Sequence, residues 1–178
     1  MDRQLILKFL FLAILILVPI SCEDIQEEYP DEPVVDYQGF SLFITTDELG
    51  NKTLVGRLNF EFTDGDGNLG FQDKEENSDP ELPDSLKYNF YLQLYDISGF
   101  EVAEVPESEG GFLKYRIPYL DKQPLSGTID LDISFPVIVY DTIFYTFWIY
   151  DRDFNRSNTD TTEIMILSNI EIDTIQGQ

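Results

Sequence analysis

An antiparallel β-sandwich of about seven strands is the fold this chain predicts, and three observations predict it. Apolar residues recur at every second position in several separate runs, which is the signature of strands with one dry and one wet face. Turn signals fall between those runs at fairly regular intervals, and no stretch carries a convincing helical period. Two packed sheets are the economical way to bury that many half-apolar strands in one domain, here residues 34–178.

The chain opens on a segment that precedes the fold. Arg3 and Lys8 come before twelve uncharged residues, 9–20, and Ser21 then leads to Cys22, the single cysteine. A membrane-spanning helix needs about 20 apolar residues, so a run of this length reads as the h-region of a signal peptide covering residues 1–21. Residues 17–22, LVPISC, resemble the lipobox of lipoproteins processed by the lipoprotein signal peptidase, with Pro19 where leucine is usual. That resemblance implies lipid attachment at Cys22 and a place in the outer membrane, on its periplasmic or its cell-surface side. More than one acyl chain would make such an anchor stable.

Residues 22–33 follow as an acidic tether. The stretch EDIQEEYPDEP has no periodicity, many carboxylates and two prolines, the composition of a self-repelling linker. Its eleven residues could reach about 35 Å when fully extended.

The strands come next, in order. Residues 40–46 form the first. In the second, Leu54, Gly56, Leu58, Phe60 and Phe62 face inward, alternating with Val55, Arg57, Asn59, Glu61 and Thr63. In the third, Tyr88, Phe90, Leu92 and Leu94 alternate with Asn89, Tyr91, Gln93 and Tyr95. A fourth lies near residues 115–119. In the fifth, Ile129, Leu131, Ile133 and Phe135 alternate with polar neighbours. Residues 142–150 are apolar on both faces, which makes that strand central or covered, and Ile164 and Ile166 mark the last short run.

Residues 145–157, YTFWIYDRDFNRS, resemble the sixth strand and following turn of fibronectin type III-like domains. Asp151, Asn155 and Ser157 match that pattern, while Phe154 stands where glycine is commoner. The resemblance implies an immunoglobulin-like, specifically fibronectin type III-like, sandwich. Taken together, residues 60–70 (FEFTDGDGNLG) and 150–164 (YDRDFNRSNTDTTEI) are also similar to a group of Bacteroidota lipoproteins whose function is not established.

Charge narrows the functional classes. Eleven Lys and Arg stand against 34 Asp and Glu, a net charge of −23. Loss of residues 1–21 would remove Arg3 and Lys8 but only one acid, Asp2, so the mature domain is more acidic still. Such a surface repels nucleic acid, attracts cations and opposes self-association, so the domain is expected to be monomeric. With no histidine anywhere, a Ser-His-Asp triad, a Cys-His pair and the usual catalytic zinc sets are unavailable. A non-enzymatic binding or accessory module, with an unassigned protein or glycan partner, is the leading expectation. The alternative is a carbohydrate-active enzyme using a pair of carboxylates.

Two features could carry binding. Asp64, Asp66 and Asn68 occupy alternate positions in DGDGNLG, with Asp73 a little further on, and this spacing opens many calcium loops. Leu69 stands where an EF-hand requires glycine, and Gly65, Gly67 and Gly70 also suit an ordinary tight turn. In a sandwich of this kind the loop at 64–73 and the loop at 151–160 lie at the same end. Asp151, Asp153 and Asn155 would then approach the first cluster, and calcium is the cofactor that such an arrangement would take. The second feature is a possible binding face: Tyr91, Tyr95, Trp148 and Tyr150 fall on outward positions of neighbouring strands.

Overall fold

The computed structural model describes residues 29–46, 50–71, 87–119, 126–135 and 139–167. In chain order the strands are β1 (Val34–Thr46), β2 (Lys52–Thr63), β3 (Phe90–Ser98), β4 (Glu101–Glu104), β5 (Phe112–Tyr115), β6 (Ser126–Phe135), β7 (Thr142–Ile149), β8 (Asp160–Thr161) and β9 (Met165–Ile166). They form two antiparallel sheets. One has the order β1-β2-β6. In the other, β3 and β7 pair centrally, β4 and β5 follow one another along the free edge of β3, and β8 and β9 do the same along β7. Counting each broken edge as one strand gives the seven positions of the expected sandwich, in fibronectin type III-like order. Among the described residues no helix is long and apolar enough to cross a membrane.

Alternation sorts the side chains as the sequence predicts over most of this frame. Leu54, Leu58, Phe60 and Phe62 of β2 are buried against Phe90 and Leu92 of β3 and Ile143, Tyr145, Phe147 and Ile149 of β7. Phe60 bridges the two sheets, its ring centroid 5.2 Å from those of both Phe90 and Phe147. Each such side chain contributes about 1.5–3 kcal/mol on burial, so the ring cluster is the main tie between the sheets. The strand at 142–149 is central, which explains why neither of its faces is polar.

Three strands differ from their expected form. β1 begins at Val34, six residues before the expected start. In the last run it is Met165 and Leu167 that are buried, at 5% and 2% exposure, while Ile164 and Ile166 point outward at 61% and 48%. A shift of one residue exchanges the faces of a strand, and two isoleucines one apart fit either setting. The fourth strand position is filled earlier than residues 115–119, by β4 and β5. Pro118, lacking an N–H, makes only an isolated bridge to Phe71, and Ile117 is buried beside it.

Side chains from the chain after β7 close the sandwich. The Asn158 side chain accepts from the Val35 N–H at 2.8 Å and donates to the Val35 carbonyl at 2.9 Å, copying a strand pairing. Asp160 accepts from the Tyr37 N–H at 2.7 Å. Ser157 and Thr162 hydroxyls accept from the N–H groups of Ile149 and Tyr145 along the edge of β7. The last strand is therefore short because hydroxyl and amide side chains satisfy backbone groups that a regular ladder would otherwise take.

The two outward faces differ in kind. On the smaller sheet Arg57 forms a two-pronged pair with Asp132, at 2.7 and 2.8 Å, and Asn59 donates to Asp130 at 2.6 Å, each across the β2–β6 register. The larger sheet presents aromatic rings.

Candidate functional site

Asp64 and Asp151 each begin the turn after a central strand, Asp64 directly after β2 and Asp151 two residues past the end of β7. The turns they begin have the same sequence design, Asp-x-Asp-x-Asn, at 64–68 and 151–155. They also have the same backbone. Gly67 N–H donates to the Asp64 carbonyl and Phe154 N–H to the Asp151 carbonyl, at 3.1 and 3.3 Å. The fourth residue is left-handed in both, with φ 65° at Gly67 and 65° at Phe154. Glycine adopts that conformation freely, whereas a phenylalanine there carries a backbone cost of about 1–2 kcal/mol.

The leading aspartate of each turn is buried and ties its own loop. Asp64 Oδ2 accepts from the Leu69 N–H at 2.7 Å. Asp151 accepts from the backbone and side-chain N–H groups of Asn155, both at 2.7 Å. The two turns then meet: Asn68 Nδ2 donates to Asp66 at 2.7 Å and to Asp153, across the gap, at 3.0 Å. One carboxylate oxygen from each of Asp64, Asp66 and Asp151 lies within 4.8 Å of the other two.

The electrostatics follow from that crowding. Burial pushes the Asp64 carboxyl up to about 6, the Leu69 N–H bond opposes the rise, and the charge of Asp66, a hydrogen bond that protonated Asp64 can share with Asp66, and the charge of Asp151 add to it. Among the described residues, Asp64 Oδ1 and Asn68 Oδ1 are buried without a hydrogen-bond partner. Unpartnered buried oxygens of this kind are uncommon in folded proteins and call for an explanation.

The chain enters the sandwich at this same end. Gly65 N–H donates to the Pro30 carbonyl at 2.8 Å, and a Cβ on residue 65 would strike the carbonyls of Tyr29 and Pro30. Pro33 is buried. Residues 29 and 30 of the acidic stretch thus lie against the first turn. Cys22 and Asp73 lie outside the described residues.

On the outer face of the larger sheet, Tyr91 and Trp148 are cross-strand partners whose rings are nearly parallel, 5.9 Å apart. Phe112 of β5 completes a triangle with them, at 5.8 and 5.9 Å, and Tyr150 meets Tyr91 edge-on at 5.6 Å. With Tyr88 and Phe154 these four rings line a groove of about 350 Å3. Cations sit over two of the rings, Arg156 over Trp148 and Lys114 over Phe112. Tyr95 stands apart, stacked on Phe144 at 4.9 Å, with the Gln93–Thr146 pair between it and Tyr91.

Of the expected face, then, Tyr91, Trp148 and Tyr150 come together and Tyr95 does not. Tyr88, Phe112 and Phe154 are members that alternation did not supply. Tyr88 precedes the ladder and is freed from its inward setting, Phe112 lies in a four-residue strand too short to show a period, and Phe154 is turned out by its left-handed backbone.

No known protein family, curated protein or solved structure matches this chain.

Proposed function

We propose that this chain is an outer-membrane lipoprotein, anchored by lipid on Cys22, whose sandwich is a non-enzymatic binding or accessory module with the aromatic groove as its contact surface. The reading rests on one contrast. The outer face of the smaller sheet is covered by polar cross-strand pairs, whereas the other holds a groove lined entirely by aromatic side chains. Rings of this kind offer large, rigid contact area at low entropic cost, and Tyr and Trp are enriched where proteins bind partners. Phe154 strengthens it: an exposed ring (51%) at the rim is held by a left-handed backbone, two unfavourable features at one residue.

The test is made in cells on the full chain. A photo-crosslinking side chain at position 154 is expected to capture a partner, and capture should fall at least tenfold when Tyr91 and Trp148 are both changed to Ala. Capture that persists in the double variant would remove the groove from the reading. Cys22→Ser should move the protein from the membrane to the soluble fraction, and membrane retention of that variant would remove the anchor.

A further inference from the structure

The twin turns at the N-terminal end of the sandwich present oxygens to one another across a short gap, and nothing about that gap is explained by the aromatic groove. We propose that a calcium-class divalent cation binds between the two turns, held by Asp64, Asp66 and Asp151.

The distances suit one ion. Calcium takes oxygens at 2.3–2.6 Å, so two ligands of the same ion lie no more than about 5 Å apart. The three carboxylate oxygens fall within 4.8 Å of one another, although they come from two loops far apart in sequence. Magnesium, at 2.0–2.1 Å, demands a stricter octahedron and dehydrates reluctantly, so ligands drawn from two loops suit calcium better.

An independent observation points to a ligand. Asp64 is fully buried, yet among the described residues only one of its oxygens is used; Oδ1 has no partner there. The adjacent carboxylates are acceptors when ionised and cannot supply a hydrogen bond. A buried, ionised oxygen left in this state is costly, and a cation removes that cost at Asp64 while offsetting the crowding of its charge with those of Asp66 and Asp151. Asn68, 8% exposed, holds a second unpartnered oxygen in the same turn. The donor set is oxygen alone in a chain without histidine, which selects a hard cation over zinc or copper.

A cation here would join three separate segments: the turn after β2, the turn after β7, and, through the Gly65–Pro30 bond, the residues that lead into β1. It would act as a clamp on one end of the sandwich.

Thermal unfolding of the full chain in detergent, in millimolar calcium and then in excess chelator, tests the site. Calcium is expected to raise the melting temperature by roughly 5–10 °C. Asp64→Asn and Asp151→Asn should each abolish the shift, and Glu101→Gln, on an exposed edge strand, should keep it. No shift in the unaltered chain, or a shift that survives in either aspartate variant, overturns the proposal. Calorimetric titration of the unaltered chain provides a check that needs no variant: one saturable calcium site per chain is expected, and an absence of saturable heat overturns it.

Discussion

Phe154 shows how much one backbone angle can decide. Its counterpart in the twin turn is Gly67, at the same φ, so the geometry belongs to the turn and the side chain is carried along. Phe154→Gly is expected to stabilise the protein by up to about 1 kcal/mol, since relief of the left-handed strain exceeds glycine's extra entropy in the unfolded chain. A higher urea midpoint at unchanged slope would record the gain; a lower one would mean that ring contacts in the groove outweigh the strain. Asp64 makes a second residue-scale prediction. Its folded carboxyl titrates near 6, above the ordinary 3.8, because of burial and of Asp66 and Asp151. Between those values the folded form keeps a proton that the unfolded form has lost, so this group makes stability rise as pH falls from about 6 toward 4. In chelator, the chain should therefore gain melting temperature from pH 7 to pH 5 relative to Asp64→Asn. A constant difference between the two across that range would contradict the assignment.

At the scale of elements, the sandwich is completed by side chains that act in place of ladder bonds. Asn158 holds both backbone groups of Val35, a residue only 2% exposed. Asn158→Ala should cost about 1–2 kcal/mol, seen as a melting temperature lower by roughly 3–6 °C; an unchanged value would mean that water serves Val35 equally well. The long strands β2, β3 and β6 were legible because each carries four or more alternating positions, enough to fix both type and face, and β7 because a run apolar on both faces marks a central strand. The approach of the two acidic turns followed from topology, since loops after the second and sixth strands share an end. The short edge pieces were not legible. A strand of two to four residues shows no period, so β5 was placed too late and the last run was set on the wrong face. Phe112 was missed for that reason, and Tyr95 was included because outward alternation alone does not reveal that Gln93 and Thr146 divide the rings.

At the scale of the whole molecule, the two candidate sites lie close together, at the end where residues 29 and 30 meet the first turn. Phe154 belongs to the second acidic turn and to the rim of the aromatic groove, so the cation clamp and the contact surface share a loop. Because residues 29 and 30 rest on the first turn, the six residues between Cys22 and Tyr29 could span at most about 20 Å under the proposed anchor, instead of the 35 Å that the composition suggested. The interrupted edges gain significance in that setting. A chain held on a surface by lipid moves in two dimensions and meets its own copies at high effective concentration, where a long bare strand edge would recruit a neighbour. Here β4 with β5, and β8 with β9, break both edges of the aromatic sheet into pieces of two to four residues. Asn158 and Asp160 occupy the start of the β1 edge, at Val35 and Tyr37. If copies are crowded on one membrane, as the proposed anchor implies, the aromatic sheet would offer them only short pieces for strand addition, and the longer edges β1 and β6 of the other sheet would be the ones left to recruit a neighbour.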